Sequence, residues 1–380
     1  MISKVFPIIA ISLFSSMLGV GIIVPLLPLY ADKMGATGVW IGVIFASFSI
    51  SQMTLTPVFG AFSDRRGRKT LLCIGLISFA LISLGYLWAH QVYQLIFVRL
   101  LHGAAGGMVL PIAQAYIGDL APEGQEGKWI GYLNAVLYAG YGFGPVVGGV
   151  LTEAFGMNVT FYGMGGLNLI AFILSMLFLL ESHTRAAVKA SHSASMKQLI
   201  TQPVIQGLLS VQVAYAMGRG VFLTFLAIFA TSVAHLNPGQ VGILFGANIV
   251  LMSFYQLSTG RLADRVSKKW LTVTGGIINI FFLALIPLFG NFWPLLVLFA
   301  IGSVGGAIIV PATSAITVEE GRKYGMGTAL GIIAMGQGIG FAVGPVVGGL
   351  IADSINVSSV FLFAAGFGAI GLLLFAFLIK

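Results

Sequence analysis

The chain has 380 residues, of which 58% are apolar and 8% charged, with a formal net charge of +8 and a mean hydropathy of +1.01. A soluble globular chain carries about 25% charged residues, and a soluble domain could not hide this much apolar surface. The composition excludes a water-soluble enzyme, a nucleic-acid-binding protein and a disordered chain, and asks for an all-α integral membrane protein. The single Cys73 excludes an intramolecular disulfide and any multi-cysteine metal site, and the five His residues show no ligand spacing, so no metal or cofactor is expected.

A spanning helix needs about 20 apolar residues. That ruler predicts twelve spans, near 6–30, 40–62, 71–89, 93–117, 129–151, 160–180, 204–232, 240–262, 271–290, 293–317, 327–351 and 358–379. The first apolar run, Val5 to Leu29, is too long for a signal-peptide core and no small-residue cleavage site follows it, so it is expected to remain as span 1. Residues 181–203 form a polar linker, predicting an N-terminal six-helix bundle over 1–180 and a C-terminal one over 204–380.

With the N-terminus inside, the inner loops hold 16 of the 19 basic residues, among them Lys4, Arg65, Arg66, Lys128, Arg185, Lys189, Arg322 and Lys380, while the outer loops hold Lys33. Positive charge concentrates on cytoplasmic loops, so both termini are expected to be cytoplasmic. The excess charge reads as a topological address and not as a nucleic-acid surface.

The chain also repeats itself at an offset of 200 residues. GAFSDRRGRK (60–69) returns as GRLADRVSKK (260–269), so that Gly60, Asp64, Arg65 and Lys69 match Gly260, Asp264, Arg265 and Lys269. The motif carrying Gly131, Gly140, Gly144, Pro145, Gly148 and Gly149 returns at Gly331, Gly340, Gly344, Pro345, Gly348 and Gly349. Duplicated six-helix units of parallel topology mark secondary transporters, with a substrate site expected near the membrane midplane.

These motifs resemble the major facilitator superfamily over essentially the whole chain. GAFSDRRGRK is similar to its loop-2–3 signature, GPVVGG in span 5 to the antiporter motif of its drug–proton antiporter branch, and GVGIIVPLLPLY in span 1 to twelve-span drug and tetracycline exporters. The resemblance implies two six-helix bundles working by alternating access. It also implies that Asp64 faces the N-terminus of span 11, where negative charge is favoured.

The repeated acids and bases predict two cytoplasmic charge clusters that gate transport: Asp64, Arg65, Arg68 and Lys69 with Asp119, and Asp264, Arg265 and Lys269 with Glu319. Gly140, Gly144 and Gly148 line one helix face, as do Gly336, Gly340, Gly344 and Gly348. Small residues at this spacing let helices approach closely in lipid, and Pro145 and Pro345 allow bending. Spans 5 and 11, with Gly149 and Gly349, therefore read as a packed hinge and seal between the halves.

Ionisable residues within the membrane are functional candidates by default, and those present in one half alone mark where the symmetry breaks. Arg99 and His102 share a face of span 4, against Phe299 and Gly302 in the repeat. Arg99 lies roughly 9 Å and His102 about one turn further from the outer end. The segment FVRLLHGAAGG is similar to the family's span-4 arginine motif, which implies proton transfer, and His102 can titrate near neutrality. Arg219 falls near the middle of span 7, opposite Gly19 or Val20 in the repeat. No Asp or Glu lies mid-span, and Ser16 stands where cationic-drug exporters carry a span-1 acid. Gln114, Asn134, Tyr138, Gln212, Tyr215, Asn248 and Gln337 are further candidates for substrate or proton binding.

The sequence thus points to a monomeric, non-enzymatic secondary transporter of the cell membrane, a proton-coupled exporter of drugs or metabolites whose partners are protons, lipids and a neutral or anionic lipophilic substrate. The alternatives are an organic-anion or small-metabolite symporter or uniporter using Arg99 and Arg219, and a lipid flippase.

Overall fold

The computed structural model describes residues 2–122, 125–181, 196–263 and 266–379. They form thirteen α-helices: α1 (Ile2–Lys33), α2 (Gly38–Arg66), α3 (Arg68–Trp88), α4 (Val92–Leu120), α5 (Glu126–Phe155), α6 (Met157–Phe178), the short α7 (Met196–Ile200), α8 (Pro203–Ser232), α9 (Pro238–Ala263), α10 (Lys268–Leu285), α11 (Phe292–Tyr324), α12 (Met326–Ser354) and α13 (Val357–Leu378). All but α7 are long and apolar enough to cross a membrane. Most run a few residues past the predicted spans, because their polar ends continue the helix beyond the apolar stretch. The helices also run on through Pro25, Pro57, Pro111, Pro145, Pro311 and Pro345.

Several connections are a single residue long. Gly156 (φ 84) and Gly325 (φ 120) take backbone conformations closed to most side chains, which lets α5 pass to α6 and α11 to α12 without a loop. Outward-pointing apolar side chains such as Phe377, Leu373 and Leu177 are largely exposed, as a surface solvated by lipid requires.

Two compact units result. Unit 1 comprises Met1–Gly35, Ser47–Val188 and Asn237–Gly246, and unit 2 comprises Ala36–Ala46, Lys189–Leu236 and Ala247–Lys380. This differs from a plain division at the linker, because the first residues of α2 group with unit 2 and those of α9 with unit 1. Inside unit 1, α1 packs on α5 and α6, and α3 on α4 and α6. Inside unit 2, α8 packs on α12 and α13, and α10 on α11 and α13, which is the same pattern in the repeated helices.

Glycines make that pattern possible. A Cβ at Gly144 would lie 2.5 Å from the Leu18 carbonyl oxygen, and one at Gly344 2.6 Å from that of Met217. The 140/144/148 ladder therefore seats α5 on α1 within unit 1, and Gly340 and Gly344 seat α12 on α8 within unit 2. On the neighbouring faces, Pro145 and Gly149 meet Gly242 and Pro238 of α9 within unit 1, and Pro345 and Gly349 meet Gly42 and Gly38 of α2 within unit 2. The ladder contacts also fix the register of the repeat. Leu18 corresponds to Met217, an offset of 199, so the counterpart of Arg219 is Val20.

Candidate functional site

In unit 1 a small face of α4 lets α2 approach. A Cβ on Gly103 would collide with the Phe48 carbonyl, and one on Gly106 would lie 2.8 Å from Gln52 Nε2. Ser51 closes the contact, its hydroxyl donating to the Leu100 carbonyl at 2.6 Å. The Phe48 ring consequently reaches both predicted residues of α4. Arg99 stacks its guanidinium over that ring at 4.3 Å, and His102 meets its edge at 5.3 Å. Arg99 and His102 are 5% and 0% exposed, too enclosed for Arg99 to snorkel to an interface. Phe79 and Tyr86 of α3 complete the pocket. Tyr86 joins its hydroxyl to His102 Nδ1 at 2.9 Å and stacks on Phe161 of α6. The other ring nitrogen, His102 Nε2, has no hydrogen-bond partner among the described residues.

Unit 2 builds a different cluster around the repeat positions. Arg219 of α8 donates from Nη1 to Asn248 Oδ1 of α9 at 3.0 Å, and Asn248 Nδ2 donates to the Phe299 carbonyl of α11 at 3.4 Å. Phe222 lies under the guanidinium at 5.5 Å and packs with Phe282 and Phe299. The Phe282 ring lies against Gly302, the repeat position of His102. Asn248 repeats Phe48, and Phe299 repeats Arg99.

The structure thus joins Arg99 with His102, and Arg219 with Asn248. Gln212 is buried, Gln114, Asn134, Tyr138 and Tyr215 are half-buried, and Gln337 is exposed. Tyr215 lines a small interior cavity of unit 2 together with Asn279. Sequence reasoning missed Phe48, Phe79 and Tyr86, because apolar and aromatic side chains are abundant in every span. Matching Asn248 to its repeat position would have singled out Phe48.

At the ends of α2 and α4 one arginine organises the first charge cluster. Arg68 lies 2.5 Å from Asp64 and 3.1 Å from Asp119, and donates to the Ser63 hydroxyl at 2.5 Å. In unit 2, Lys268 lies 2.8 Å from Glu319, and Lys323 lies 2.6 Å from Glu320. The base facing Glu319 is thus Lys268 and not the expected Lys269. Lys268 repeats Arg68 and sits, like it, at the first turn of its helix, where the side chain points back toward the acid. Asp264 and Arg265 lie outside the described residues. Glu181, which follows α6, accepts from the Lys69 backbone N–H at 2.9 Å and thereby caps α3.

The sequence matches the Major Facilitator Superfamily over residues 9–232 and again over 208–380. The chain belongs to this superfamily. It is 28% identical over 368 residues to an uncharacterized MFS-type transporter of Methanocaldococcus jannaschii, covering 96% of this chain and 95% of that protein. It is 25% identical over 376 residues to the quinolone resistance protein NorA of Staphylococcus aureus, covering 96% and 93%. Its fold is similar to that of the nucleoside transporter NupG, with a TM-score of 0.86 at 15% identity over 99% of this chain and 100% of that one. Superfamily membership makes the protein a multi-pass membrane transporter of a small-molecule substrate and not an enzyme.

Hydroxyl side chains of the first span bond across to α6. Ser16 is buried and donates to Asn168 Oδ1 of α6 at 3.1 Å, and Ser12 shares a 2.6 Å hydrogen bond with Ser175. These hydroxyls join α1 to α6.

Proposed function

We propose that this superfamily member is a proton-coupled exporter of lipophilic neutral or anionic small molecules. It acts as a monomer in the plasma membrane, with both termini cytoplasmic and by alternating access. One observation carries the substrate class: the charge held at membrane depth is cationic in both units, and the sequence supplies no mid-span carboxylate to balance a cationic drug. Likeness to NorA, named for quinolone resistance, supports export as the direction. Arg219 is half-buried and held by Asn248 and Phe222, so its guanidinium is oriented with no carboxylate paired to it among the described residues. His102, held by Tyr86 through one nitrogen, is the residue we assign to proton exchange. The Arg68 and Lys268 charge clusters then act as gates that form and break between transport states.

A second reading, uptake or facilitated diffusion of an organic anion with Arg99 and Arg219 as its clamp, rests on the same two guanidinium groups. Proteoliposomes with an imposed pH gradient separate the two, using a panel of cationic, neutral and anionic compounds. Movement of neutral or anionic compounds opposite to the imposed proton flow that is lost in His102→Gln supports the exporter. Movement of anions with the proton flow, or indifferent to it, favours the second reading. Gradient-driven movement of cations that survives Arg219→Ala contradicts the substrate class.

A further inference from the structure

α2 and α9 both change unit along their length. α2 belongs to unit 2 through Ala46 and to unit 1 from Ser47, and α9 belongs to unit 1 through Gly246 and to unit 2 from Ala247. At the first turn of each helix a distant carboxylate takes the backbone N–H groups. Asp353, near the end of α12, accepts from Gly38 N at 2.6 Å through Oδ1 and from Val39 N at 3.0 Å through Oδ2. Glu153, near the end of α5, accepts from Gly239 N at 3.1 Å. Asp353 and Glu153 occupy the same repeat position, as do Gly38 and Pro238. Pro238 has no N–H, which leaves Glu153 with one bond where Asp353 has two.

Ordinary helix capping does not require these residues. The residue before α9, Asn237, already caps it locally by accepting from Gln240 N at 2.8 Å, and Thr37, a suitable capping residue, stands directly before α2. The carboxylates instead come from 86 and 314 to 315 residues away. Beneath them Gly42 lies on Pro345 and Gly242 on Pro145, beside the buried side chains of Ile41, Ile44, Val241 and Leu244, and apolar contact of this kind carries no direction. The charge-assisted bonds at a positive helix terminus therefore supply the directional part of the attachment.

We propose that Asp353 and Glu153 are paired latches that hold the first turns of α2 and α9, at the end of the transporter opposite Arg65 and Arg66 in the last turn of α2, and that their release is a step in opening that end. The proposal deepens the alternating-access reading above and rests on it. It makes the Asp353 latch the stronger of the two.

The test uses the full-length protein in lipid nanodiscs on a Cys73→Ala background. Reporter cysteines replace Ala36 and Leu236, each 8% exposed beside a latched turn, and maleimide labelling rates are read. Asp353→Asn is expected to speed labelling at position 36 by about 10-fold, and Glu153→Gln at position 236 by about 3-fold, in the order of the bonds lost. Asp353→Glu, which keeps the charge, is expected to stay within about twofold of the parent. Glu153→Gln, the milder change, keeps the test readable if Asp353→Asn does not fold. Unchanged labelling in folded variants, with a lowered thermal transition alone, would overturn the proposal and leave the carboxylates as structural caps. Labelling does not depend on transport. A parent protein that moves no compound in the proteoliposome assay would therefore sink the transport mechanism while the latch result is read separately.

Discussion

In unit 1 the buried cation stands on α4, with Arg99 over the Phe48 ring and His102 beside it. In unit 2 the repeat positions of Arg99, Phe48 and His102 are Phe299, Asn248 and Gly302, and the cation comes from α8, where Arg219 holds Asn248. The helix frame around these clusters is the same in both units, down to carbonyl contacts at Gly144 and Gly344. Duplication fixed the places where helices touch, because a glycine under a neighbouring backbone tolerates no side chain. The positions facing the polar clusters carry no such restraint and diverged. The frame and the clusters should therefore respond differently to mutation.

The largest effect is expected in the frame, and equally in both units. Gly144→Leu and Gly344→Leu drive a side chain into the Leu18 and Met217 carbonyls, at a cost of about 3 kcal/mol or more. Each is expected to abolish a monodisperse peak of detergent-solubilised protein, as measured by size-exclusion chromatography. A folded Gly144→Leu beside an unfolded Gly344→Leu would show that the frame is not shared.

Next come the clusters. Arg219→Ala removes a charged hydrogen bond of a kind contributing about 1.5–3 kcal/mol, and is expected to lower transport by roughly 10- to 100-fold. Arg99→Ala removes a guanidinium–ring contact of about 0.5–2 kcal/mol together with its interaction with the Tyr86 side chain, and should also slow transport, by at least roughly 2- to 30-fold. Flux of a single compound in proteoliposomes measures both, and a loss confined to one unit would show that the other cluster is structural. The charge clusters offer a contrast. Arg68, 8% exposed and facing Asp64 and Asp119, should cost about 2–3 kcal/mol as Arg68→Ala, because it strands the mostly buried Asp119. Lys268, 29% exposed against a half-exposed Glu319, should cost no more than about 1 kcal/mol. Thermal unfolding of the two alanine variants measures the difference.

How much of this could be read from the sequence follows from the same division. The twelve spans, the 200-residue repeat and the glycine motifs were legible, because hydropathy and close helix approach leave strong, spaced signals. Arg99, His102 and Arg219 stood out because buried ionisable groups are rare in spans. Their partners were not legible. Phe48 is one of 29 Phe residues, and nothing in its local sequence says that Gly103 brings it under Arg99. The choice of Lys268 over Lys269 for Glu319 depended on which side chain the first turn of α10 turns toward α11. The offset of 199 between α1 and α8 appears only when Gly144 and Gly344 are seen on their carbonyls. The Asp353 and Glu153 caps join segments hundreds of residues apart, or nearly ninety, and no spacing rule pairs them.

The smallest effect tests the comparison at the position where the superfamily's cationic-drug exporters carry an acid. At the register set by the ladders, Ser16 of α1 corresponds to Tyr215 of α8. Unit 1 uses that position to bind α1 to α6 through Asn168, whereas unit 2 projects a ring toward α11, where a Cβ on Gly306 would lie 2.8 Å from Tyr215 Oη. Ser16→Ala removes one neutral hydrogen bond, worth about 1 kcal/mol, and should lower the thermal transition slightly while transport stays within about twofold of wild type. Tyr215→Phe removes a hydroxyl beside the unit 2 cavity shared with Asn279, and should slow transport by up to about fivefold. If Ser16→Ala is instead the one that slows transport and leaves stability unchanged, span 1 handles substrate after all, and the hydroxyl stands in for the missing acid.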